Sequence, residues 1–371
     1  MRELSDGSTA IVRGALDAGC SFFAGYPITP ASPILMMMLR ELPKLGGIGI
    51  QAEDEIASIG MCIGAVMAGA RAMTATSGPG MSLYSENLGL AIMGEVPLVV
   101  VDVQRMGPAT GGATTTGQGD IQLARWGTAG GYPIIALAPS SIPECYSLTR
   151  RAFDLAERFR CPVLLLSDKE LNLTFNTVDP QSFEAPPVRT RAVARVDSGD
   201  FAPYRFEPPD EIPPLAHYGQ GAVLRFTGSS HDERAFITKD PEKVGRLNRH
   251  LAAKIDAHRH EIELAALDLE AGAETLWISF GITAGAMREA VERARAEGHR
   301  VSALTVHSLW PVPETTIRRA MQGVTRVWVA ELNLGQYRRE IERLAGSRQV
   351  AGLNRVDGEL IAPEEFLETL P

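Results

Sequence analysis

The sequence predicts an α/β protein in which a doubly wound domain precedes a smaller α/β domain. Through residues 1–171, short β-branched runs alternate with segments of helical periodicity, an order typical of a parallel sheet covered by helices on both faces. Residues 172–265 are rich in proline and charge, which predicts an irregular linker with a helix at its end. The alternation resumes over residues 266–371, where strand candidates are interleaved with helices.

The individual elements follow from the spacing of the apolar residues. The run LVVVDV, for example, is typical of a strand buried on both faces of a parallel sheet. In the first domain, the predicted strands are 20–24, 72–76, 98–103, 129–137 and 162–167, and the predicted helices are 8–18, 34–42, 54–70, 81–93 and 144–159. In the rest of the chain, the predicted elements are a hairpin around Ala222–Phe226, helices at 243–267, 283–297 and 314–322, and strands at 275–281, 301–306 and 326–331.

Composition limits the classes of function. A formal net charge of −9 argues against a surface for nucleic acid or anionic membrane, and no apolar run is long enough to span a membrane. The N-terminus lacks the apolar core of a signal peptide. Cys20, Cys62, Cys145 and Cys161 lie far apart in apolar contexts, which favours buried free thiols over disulfides or a metal site. We therefore expect a cytoplasmic protein without a metal site of its own.

An acidic cluster, a helix rich in small residues and a glycine turn follow one another along residues 51–80. Glu55 lies in the first turn of the predicted helix, where the helix dipole favours negative charge. Burial there would raise the proton affinity of its carboxylate, as a catalytic acid requires. The simpler interpretation of these residues alone is that Asp54 and Glu55 cap the helix.

A proline-flanked turn, GYPITP at residues 25–30, follows the first predicted strand. Its two prolines fix the backbone, so the turn can hold Ile28 and the Thr29 hydroxyl in one orientation. An ordinary strand-to-helix loop, with Thr29 or Ser32 as the helix N-cap, explains the same spacing equally well. His231, in a later TGSSHDE segment, has no assigned chemistry and is expected in a solvated loop.

Arg105 follows the strand at 98–103. The carboxyl ends of strands carry the ligands in parallel α/β sheets, and a guanidinium can donate two hydrogen bonds to a carboxylate. A surface salt bridge is the alternative for this arginine. The loop at 111–120 is rich in glycine and threonine, and it is interpreted equally well as a mobile cover of a site or as an ordinary long loop.

These motifs, taken in order, resemble the alpha subunit of the 2-oxoacid:ferredoxin oxidoreductases, which are thiamine-diphosphate enzymes. The resemblance rests on GYPITP, on Glu55 and its helix, and on the segments TSGPG, QRMGPATG and LWPVP. It implies a thiamine pyrimidine-binding domain at 1–171 and a transketolase C-terminal-like domain at 266–371. It also implies that Glu55 is the catalytic acid that hydrogen-bonds the cofactor's pyrimidine nitrogen.

The resemblance implies roles for the other site residues as well. Pro27 and Ile28 would line the thiamine site beside Glu55, while Thr29 and Arg105 would bind the keto group and carboxylate of the substrate. The implied reaction is the oxidative decarboxylation of a 2-oxoacid with coenzyme A, with electrons passed to ferredoxin. The subfamily that the motifs resemble most is the 2-oxoglutarate type.

The resemblance further implies partner subunits. The chain has no GDG motif followed by an asparagine for diphosphate and magnesium, and no cysteine set for an iron–sulfur cluster. A beta subunit is expected to supply diphosphate binding, Mg and the cluster. Because GYPITP begins near the start of the chain, a separate gamma subunit is expected, with a small ferredoxin-like delta subunit as a further candidate.

Several alternatives stay open from the sequence. The substrate could be a branched-chain 2-oxoacid or pyruvate, since all of these acids share the groups that Thr29 and Arg105 would contact. Other possibilities are another thiamine enzyme, related to acetolactate synthase or transketolase, and a non-catalytic assembly subunit with the same fold. The subunit stoichiometry and the physiological direction of the reaction are not determined by the sequence.

Overall fold

The structure is a computed structural model that describes residues 2–196, 201–221 and 223–371. Elements are numbered in chain order. The strands are β1 (Glu3–Ser5), β2 (Phe22–Gly25), β3 (Ile48–Gln51), β4 (Ala72–Thr76), β5 (Leu98–Gln104), β6 (Ile135–Leu137), β7 (Pro162–Asp168), β8 (Asn176–Val178), β9 (Ala265–Asp268), β10 (Thr275–Ser279), β11 (Val301–Val306), β12 (Ser308–Trp310), β13 (Arg326–Glu331) and β14 (Gln349–Asn354). The helices are α1 (Gly7–Asp17), α2 (Ser32–Glu41), α3 (Glu55–Met67), α4 (Pro79–Met93), α5 (Ile121–Trp126), α6 (Ile142–Phe159), α7 (Lys169–Leu173), α8 (Pro241–Asp256), α9 (Arg259–Ile262), α10 (Thr283–Ala296), α11 (Glu314–Ala320), α12 (Arg338–Ala345) and α13 (Pro363–Leu367).

The first domain is built on a sheet whose strands, within the described chain, follow the order β12-β6-β7-β5-β4-β2-β3. All neighbouring pairs from β6 to β3 are parallel. Residues on β5 alternate between two apolar layers: Val99 and Val101 pack with α1, α2 and α6, whereas Leu98 and Val100 pack with α3 and α4. Helices therefore cover both faces of the sheet, which confirms the predicted doubly wound domain.

The second sheet belongs to the C-terminal part of the chain. Its described strands follow the order β14-β13-β10-β11-β9, in which all neighbours are parallel except β9. β12 belongs to the C-terminal part of the sequence, but it pairs antiparallel with β6 at the edge of the first sheet. The indole Nε1 of Trp310 donates to the carbonyl oxygen of Ile121 at 3.0 Å, so the LWPVP segment packs the two domains together.

Several predicted elements differ from the structure. The helix predicted at 243–267 ends at Asp256, and residues 265–268 form β9 because they pair with β11. The strand predicted at 129–137 is limited to β6, since Gly130 and Gly131 adopt positive φ angles in the turn before it. Residues 223–226 form no strand, so the hairpin is absent there, and Ala222 lies outside the described residues.

His231 also differs from its prediction. It is 2% exposed instead of solvated, and its Nε2 atom lies 3.2 Å from the carbonyl oxygen of Met93 while its ring contacts that of Tyr204. The TGSSHDE segment therefore anchors the linker against the end of α4.

The four cysteines are buried and unpaired, as predicted. Among the described residues, no helix has both the length and the apolar character that a membrane span requires.

A buried ionic cluster fixes the linker to the first domain. The Oε2 atom of Glu95 accepts from Lys254 Nζ at 2.9 Å and lies 3.0 Å from His250 Nε2, and all three side chains are at most 3% exposed. His250 also lies 2.8 Å from the carbonyl oxygen of Pro209 in the linker. Burial alone would raise the pKa of Glu95, but the charges of Lys254, Arg160 and His250 hold it well below its usual range.

Replacing Glu95 by alanine is expected to lower the free energy of unfolding by about 3–5 kcal/mol, because it leaves the Lys254 charge buried without its partner. Glu233→Ala, which breaks an exposed ion pair with Arg205, is the matched control and should cost about 1 kcal/mol or less. Chemical denaturation measures both values. Because the pKa of Glu95 is depressed, its stabilisation should be complete above the unfolded pKa of a glutamate and decline as the pH falls below it. If Glu95→Ala and Glu233→Ala lowered the free energy of unfolding equally, the stabilising role of the buried ionic cluster would be contradicted.

Candidate functional site

The sequence motifs meet at one edge of the first sheet, where its parallel strands end. GYPITP follows β2, TSGPG follows β4, and Arg105 follows β5. Ala52, just before α3, donates its backbone N–H to the carbonyl oxygen of Gly25 at 2.9 Å, which fixes the start of α3 beside the GYPITP turn. This edge is where ligands bind in open α/β sheets.

Asp54 and Glu55 have different roles at the start of α3. The Oδ1 atom of Asp54 accepts from the backbone N–H of Ala57 at 2.7 Å, so Asp54 is the N-cap. Glu55 is 8% exposed, and its carboxylate has no hydrogen bond among the described residues. Capping therefore explains Asp54 and leaves Glu55 available for another function.

The TSGPG turn lies directly against Glu55. A Cβ atom added at Gly80 would lie 3.2 Å from Glu55 Oε1 and only 1.9 Å from Thr76 Oγ1, so the approach requires glycine. The hydroxyl oxygens of Thr76 and Ser77 are buried and have no partner among the described residues. Buried polar atoms are usually hydrogen-bonded, and these unpartnered hydroxyls beside a buried carboxylate are typical of a ligand site.

Arg105 is buried at the other side of the same turn. It is 5% exposed and donates to the carbonyl oxygens of Thr29 at 2.5 Å and Thr110 at 3.1 Å. No carboxylate of the described residues lies within ion-pair distance of it, so the surface salt bridge considered from the sequence is wrong. Its Nε–H has no partner among the described residues, which leaves a fixed guanidinium with donors to spare.

The GYPITP turn places its residues as follows. Pro27 and Thr29 are exposed, and Ile28 is half-buried against the apolar layer of α1 and α2. The backbone carbonyl of Thr29 is what Arg105 contacts, and the Thr29 hydroxyl has no partner among the described residues. The N-cap of α2 is Ala31 without a side-chain hydrogen bond, so the capping interpretation for Thr29 or Ser32 is wrong.

Two carboxylic acids that the sequence reasoning missed lie near Arg105. Asp102 is fully buried in β5, and its carboxyl group interacts with that of Asp120, which precedes α5. Burial and then the neighbouring Asp120 raise the pKa of Asp102 well above its usual range. Burial also raises the pKa of Asp120, although Arg105 opposes this shift. The sequence signal that could have revealed Asp102 is its single charge within the otherwise apolar run LVVVDV.

A cleft of about 430 Å³ opens between the loop after Arg105 and the second domain. One wall contains Gly78 and Met106, and the other contains Asn333 and Leu334 from the segment ELNLGQ. Asn333 Nδ2 donates to the carbonyl oxygen of Gln118 at 2.7 Å, so this segment fixes the far end of the loop. The cleft thus joins the TSGPG turn to the domain interface.

A third buried acid, Asp168, links the two domains at the end of β7. Its Oδ2 atom accepts from the backbone N–H of Ile282 at 2.6 Å, at the start of α10, and burial raises its pKa to about 7. A Cβ atom at Gly281, where φ is +59°, would lie 2.2 Å from this oxygen. The second domain is therefore held close to the edge that carries Glu55 and Arg105.

Two family models match the chain. Residues 13–248 match the model described as pyruvate flavodoxin/ferredoxin oxidoreductase, thiamine diphosphate-binding, and residues 273–366 match pyruvate:ferredoxin oxidoreductase core domain II. The 2-oxoglutarate synthase subunit KorA of Methanothermobacter thermautotrophicus is 41% identical over 98% of this chain and 96% of its own length. The ketoisovalerate oxidoreductase subunit VorB of the same organism is 36% identical over 99% of this chain and 97% of its own length.

Solved structures are similar as well. The 2-oxoglutarate:ferredoxin oxidoreductase from Magnetococcus marinus, solved with 2-oxoglutarate, coenzyme A and succinyl-CoA bound, superposes with a TM-score of 0.92 at 34% identity. The match covers 99% of this chain and 64% of that chain. A split-gene transketolase superposes with a TM-score of 0.53 at 13% identity over 98% of this chain and 94% of its own, a likeness of fold alone. The predicted fold class is thereby confirmed.

Proposed function

The chain belongs to the pyruvate flavodoxin/ferredoxin oxidoreductase family, and we propose that it is the alpha subunit of an enzyme that oxidises 2-oxoglutarate. The proposed reaction is oxidative decarboxylation with coenzyme A, with electrons passed to ferredoxin. The observation that carries the proposal is that Glu55 and Arg105 lie on opposite sides of one glycine turn, each buried and each with unused hydrogen-bonding capacity. An acid for the cofactor and a cation for the substrate are thus adjacent.

The residues present fit the pyrimidine half of thiamine diphosphate. The unpartnered hydroxyls of Thr76 and Ser77 and the buried carboxylate of Glu55 offer polar contacts, and Pro27 and Ile28 offer an apolar wall. When bound, the cofactor supplies an acidic thiazolium carbon and an electron sink for loss of CO₂. Glu55 would hold and return a proton at the pyrimidine ring nitrogen, in surroundings that exclude water.

Arg105 and Thr29 would bind the substrate. A guanidinium held by two backbone carbonyls keeps its remaining donors fixed in direction, which suits a planar carboxylate. The exposed Thr29 hydroxyl, close to the Arg105 contact, would donate to the keto oxygen. Because these contacts read only the groups common to all 2-oxoacids, the choice of 2-oxoglutarate rests on the relatives named 2-oxoglutarate synthase.

A beta subunit would complete the site. It would supply diphosphate binding, Mg and an iron–sulfur cluster, while separate gamma and ferredoxin-like delta chains would complete the complex. α3 supports this proposal, because one of its sides is open to solvent. Ile56 and Met61 on α3 and Leu83 on α4 are 52, 40 and 47% exposed, and a Cβ atom at Gly60 or Gly64 would contact nothing within 4 Å.

Ferredoxin-linked oxidation tests the function. The chain is purified alone and with the products of its neighbouring genes, and each preparation is assayed with 2-oxoglutarate, a branched-chain 2-oxoacid and pyruvate. We expect activity in the complex alone, with 2-oxoglutarate giving the highest kcat/KM. A preference for the branched-chain acid would favour the ketoisovalerate relatives. A complex inactive with every 2-oxoacid would favour a non-catalytic subunit.

The isolated chain is expected to bind thiamine diphosphate weakly, because the Glu55 site contacts the pyrimidine half of the molecule alone. Isothermal titration with and without Mg measures the affinity. The matched control is the complex, which should bind far more tightly and in a Mg-dependent manner. Tight Mg-dependent binding by the isolated chain would contradict the shared site.

The four unpaired cysteines suit a reducing compartment, and we propose that the enzyme is cytoplasmic.

A further inference from the structure

We propose that Asp102 and Asp120 share one proton and, in that state, position Arg105 and the loop 106–119 for binding of the 2-oxoacid carboxylate. They are positioning residues, since neither is assigned a contact with the substrate. The inference rests on the proposed function, because it takes Arg105 as the carboxylate-binding group. The closing experiment separates the two ideas.

Two buried carboxyl oxygens without a donor point to a shared proton. The Oδ2 atoms of Asp102 and Asp120 are both buried, and neither accepts from a donor among the described residues. The two carboxyl groups interact with each other, so one proton held between them would satisfy both oxygens. The other oxygen of Asp102, Oδ1, accepts from the backbone N–H of Gly78 at 3.3 Å.

The pair closes the base of the loop that carries the Arg105 contacts. Asp102 lies before the loop in β5, and Asp120 lies at its far end, where its backbone N–H donates to Gln104 Oε1 at 3.3 Å. Between them, Thr110 accepts from Arg105, and Met106 donates to Thr115 at 2.9 Å. Opening the base would therefore disturb the backbone that orients the guanidinium.

Charge explains why one proton suits this site. A pair with one proton carries a single negative charge, which the neighbouring Arg105 can balance, whereas a fully ionised pair would place two negative charges in contact in a buried position. Asp168 on β7 adds further negative potential at Asp102, while the Gly78 N–H opposes it. The pKa of Asp102 is therefore raised by burial, by Asp120 and by Asp168, and the shared proton should persist well above the usual range of an aspartate.

This arrangement predicts a direction of pH dependence. The raised pKa means that the folded pair binds its proton more tightly than the unfolded chain does, so its contribution is complete at low pH and is lost as the pH rises through the folded pKa. Above that point the pair repels, the loop base opens, and the fraction of enzyme competent to bind the carboxylate falls. The apparent KM should then rise by about tenfold per pH unit.

The experiment uses the assembled enzyme from about pH 6 up to the highest pH at which it stays folded, because the contribution of the pair is lost as the pH rises through its raised pKa. KM and kcat for 2-oxoglutarate are measured in parallel with hydrogen–deuterium exchange of peptides from 106–119, corrected for the intrinsic exchange rate. In the wild type, KM and loop exchange should rise together with pH. Asp102→Asn should flatten both profiles, because its amide can donate to Asp120 without a titrating proton and its carbonyl can still accept from Gly78. Asp120→Ala, which cannot accept, should raise KM at every pH.

Glu263→Gln is the matched control, since Glu263 is a partly buried carboxyl with a raised pKa in another part of the chain. Its profiles should follow those of the wild type. Wild-type pH dependence in Asp102→Asn, or loop exchange that does not change with pH in the wild-type enzyme, would overturn the inference. If loop exchange rises with pH while KM stays constant, the proton-sharing pair is supported, but the proposal that Arg105 binds the substrate carboxylate is contradicted.

Discussion

Glu55→Gln is expected to slow exchange of the thiazolium C2 proton of bound thiamine by about 10²-fold or more, the usual scale of general acid–base catalysis. Glutamine keeps the size of the side chain, but its amide cannot cycle a proton with the pyrimidine nitrogen. Because Asp54 caps α3, the substitution removes no helix-capping contact, and the variant should fold and assemble. NMR of the complex, with labelled solvent, measures the exchange rate.

Two controls make this result specific. Asp54→Asn keeps a capping side chain one residue away, and C2 exchange should continue at the wild-type rate. Circular dichroism and gel filtration of Glu55→Gln should match the wild type, so that a slower exchange reports chemistry and not unfolding. Exchange at the wild-type rate in Glu55→Gln would remove this residue from the mechanism, and Glu53 would then be the next carboxylate to test.

Arg105→Ala is expected to raise the KM for the 2-oxoacid by about ten- to a hundredfold, because a hydrogen bond to a charged group contributes about 1.5–3 kcal/mol. Arg105→Lys should also raise KM, since an ammonium cannot reproduce the planar fork that contacts the carbonyls of Thr29 and Thr110. Thiamine affinity should change little in either variant. Steady-state kinetics and calorimetric titration of the complexes give the two quantities.

The comparison separates substrate binding from loop support. Thr110→Ala leaves the carbonyl that Arg105 contacts in place, so it is a mild control for disturbance of the loop, and its KM should stay near the wild-type value. If Arg105 only held the loop together, Arg105→Ala would increase hydrogen exchange of 106–119 without changing the KM of a carboxylate substrate relative to its amide analogue. That result would contradict the proposed contact.

β2, β4, β5 and β7 of the first sheet were predicted because they are strong local signals, whereas the partly exposed edge strand β3 was missed. β4 and β5 are short runs dominated by apolar and β-branched residues and buried along their whole length, which is typical of strands covered on both faces. β12 and β14 were missed for the opposite reason. β12 has three residues and becomes a strand through pairing with β6, and β14 is half-exposed and pairs along β13. Tertiary pairing, which no local pattern contains, decides both.

The site was predictable to the extent that its residues lie in contiguous motifs. Glu55 and Arg105 each follow a recognisable element, and the rule that ligands gather at the carboxyl ends of parallel strands placed them together. Their chemical roles stay predictions. Asp102 and Asp120 were not found, because a proton-sharing pair depends on the contact between residues that are far apart along the chain. Capping was assigned to Asp54 and Glu55 together, and only the structure shows that Asp54 alone is the N-cap.

The edge strand donated by the C-terminal part has a consequence for truncation. β6 is a short strand whose outer edge is covered by β12, which the chain reaches only after β11. A fragment that ends before residue 308 would leave the backbone N–H and C=O groups of β6 bare, and such an edge invites pairing with another chain. The N-terminal domain should therefore aggregate when it is produced alone, although it contains every proposed catalytic residue. Nascent chains meet the same hazard during synthesis, until the ribosome has released the segment that closes the sheet.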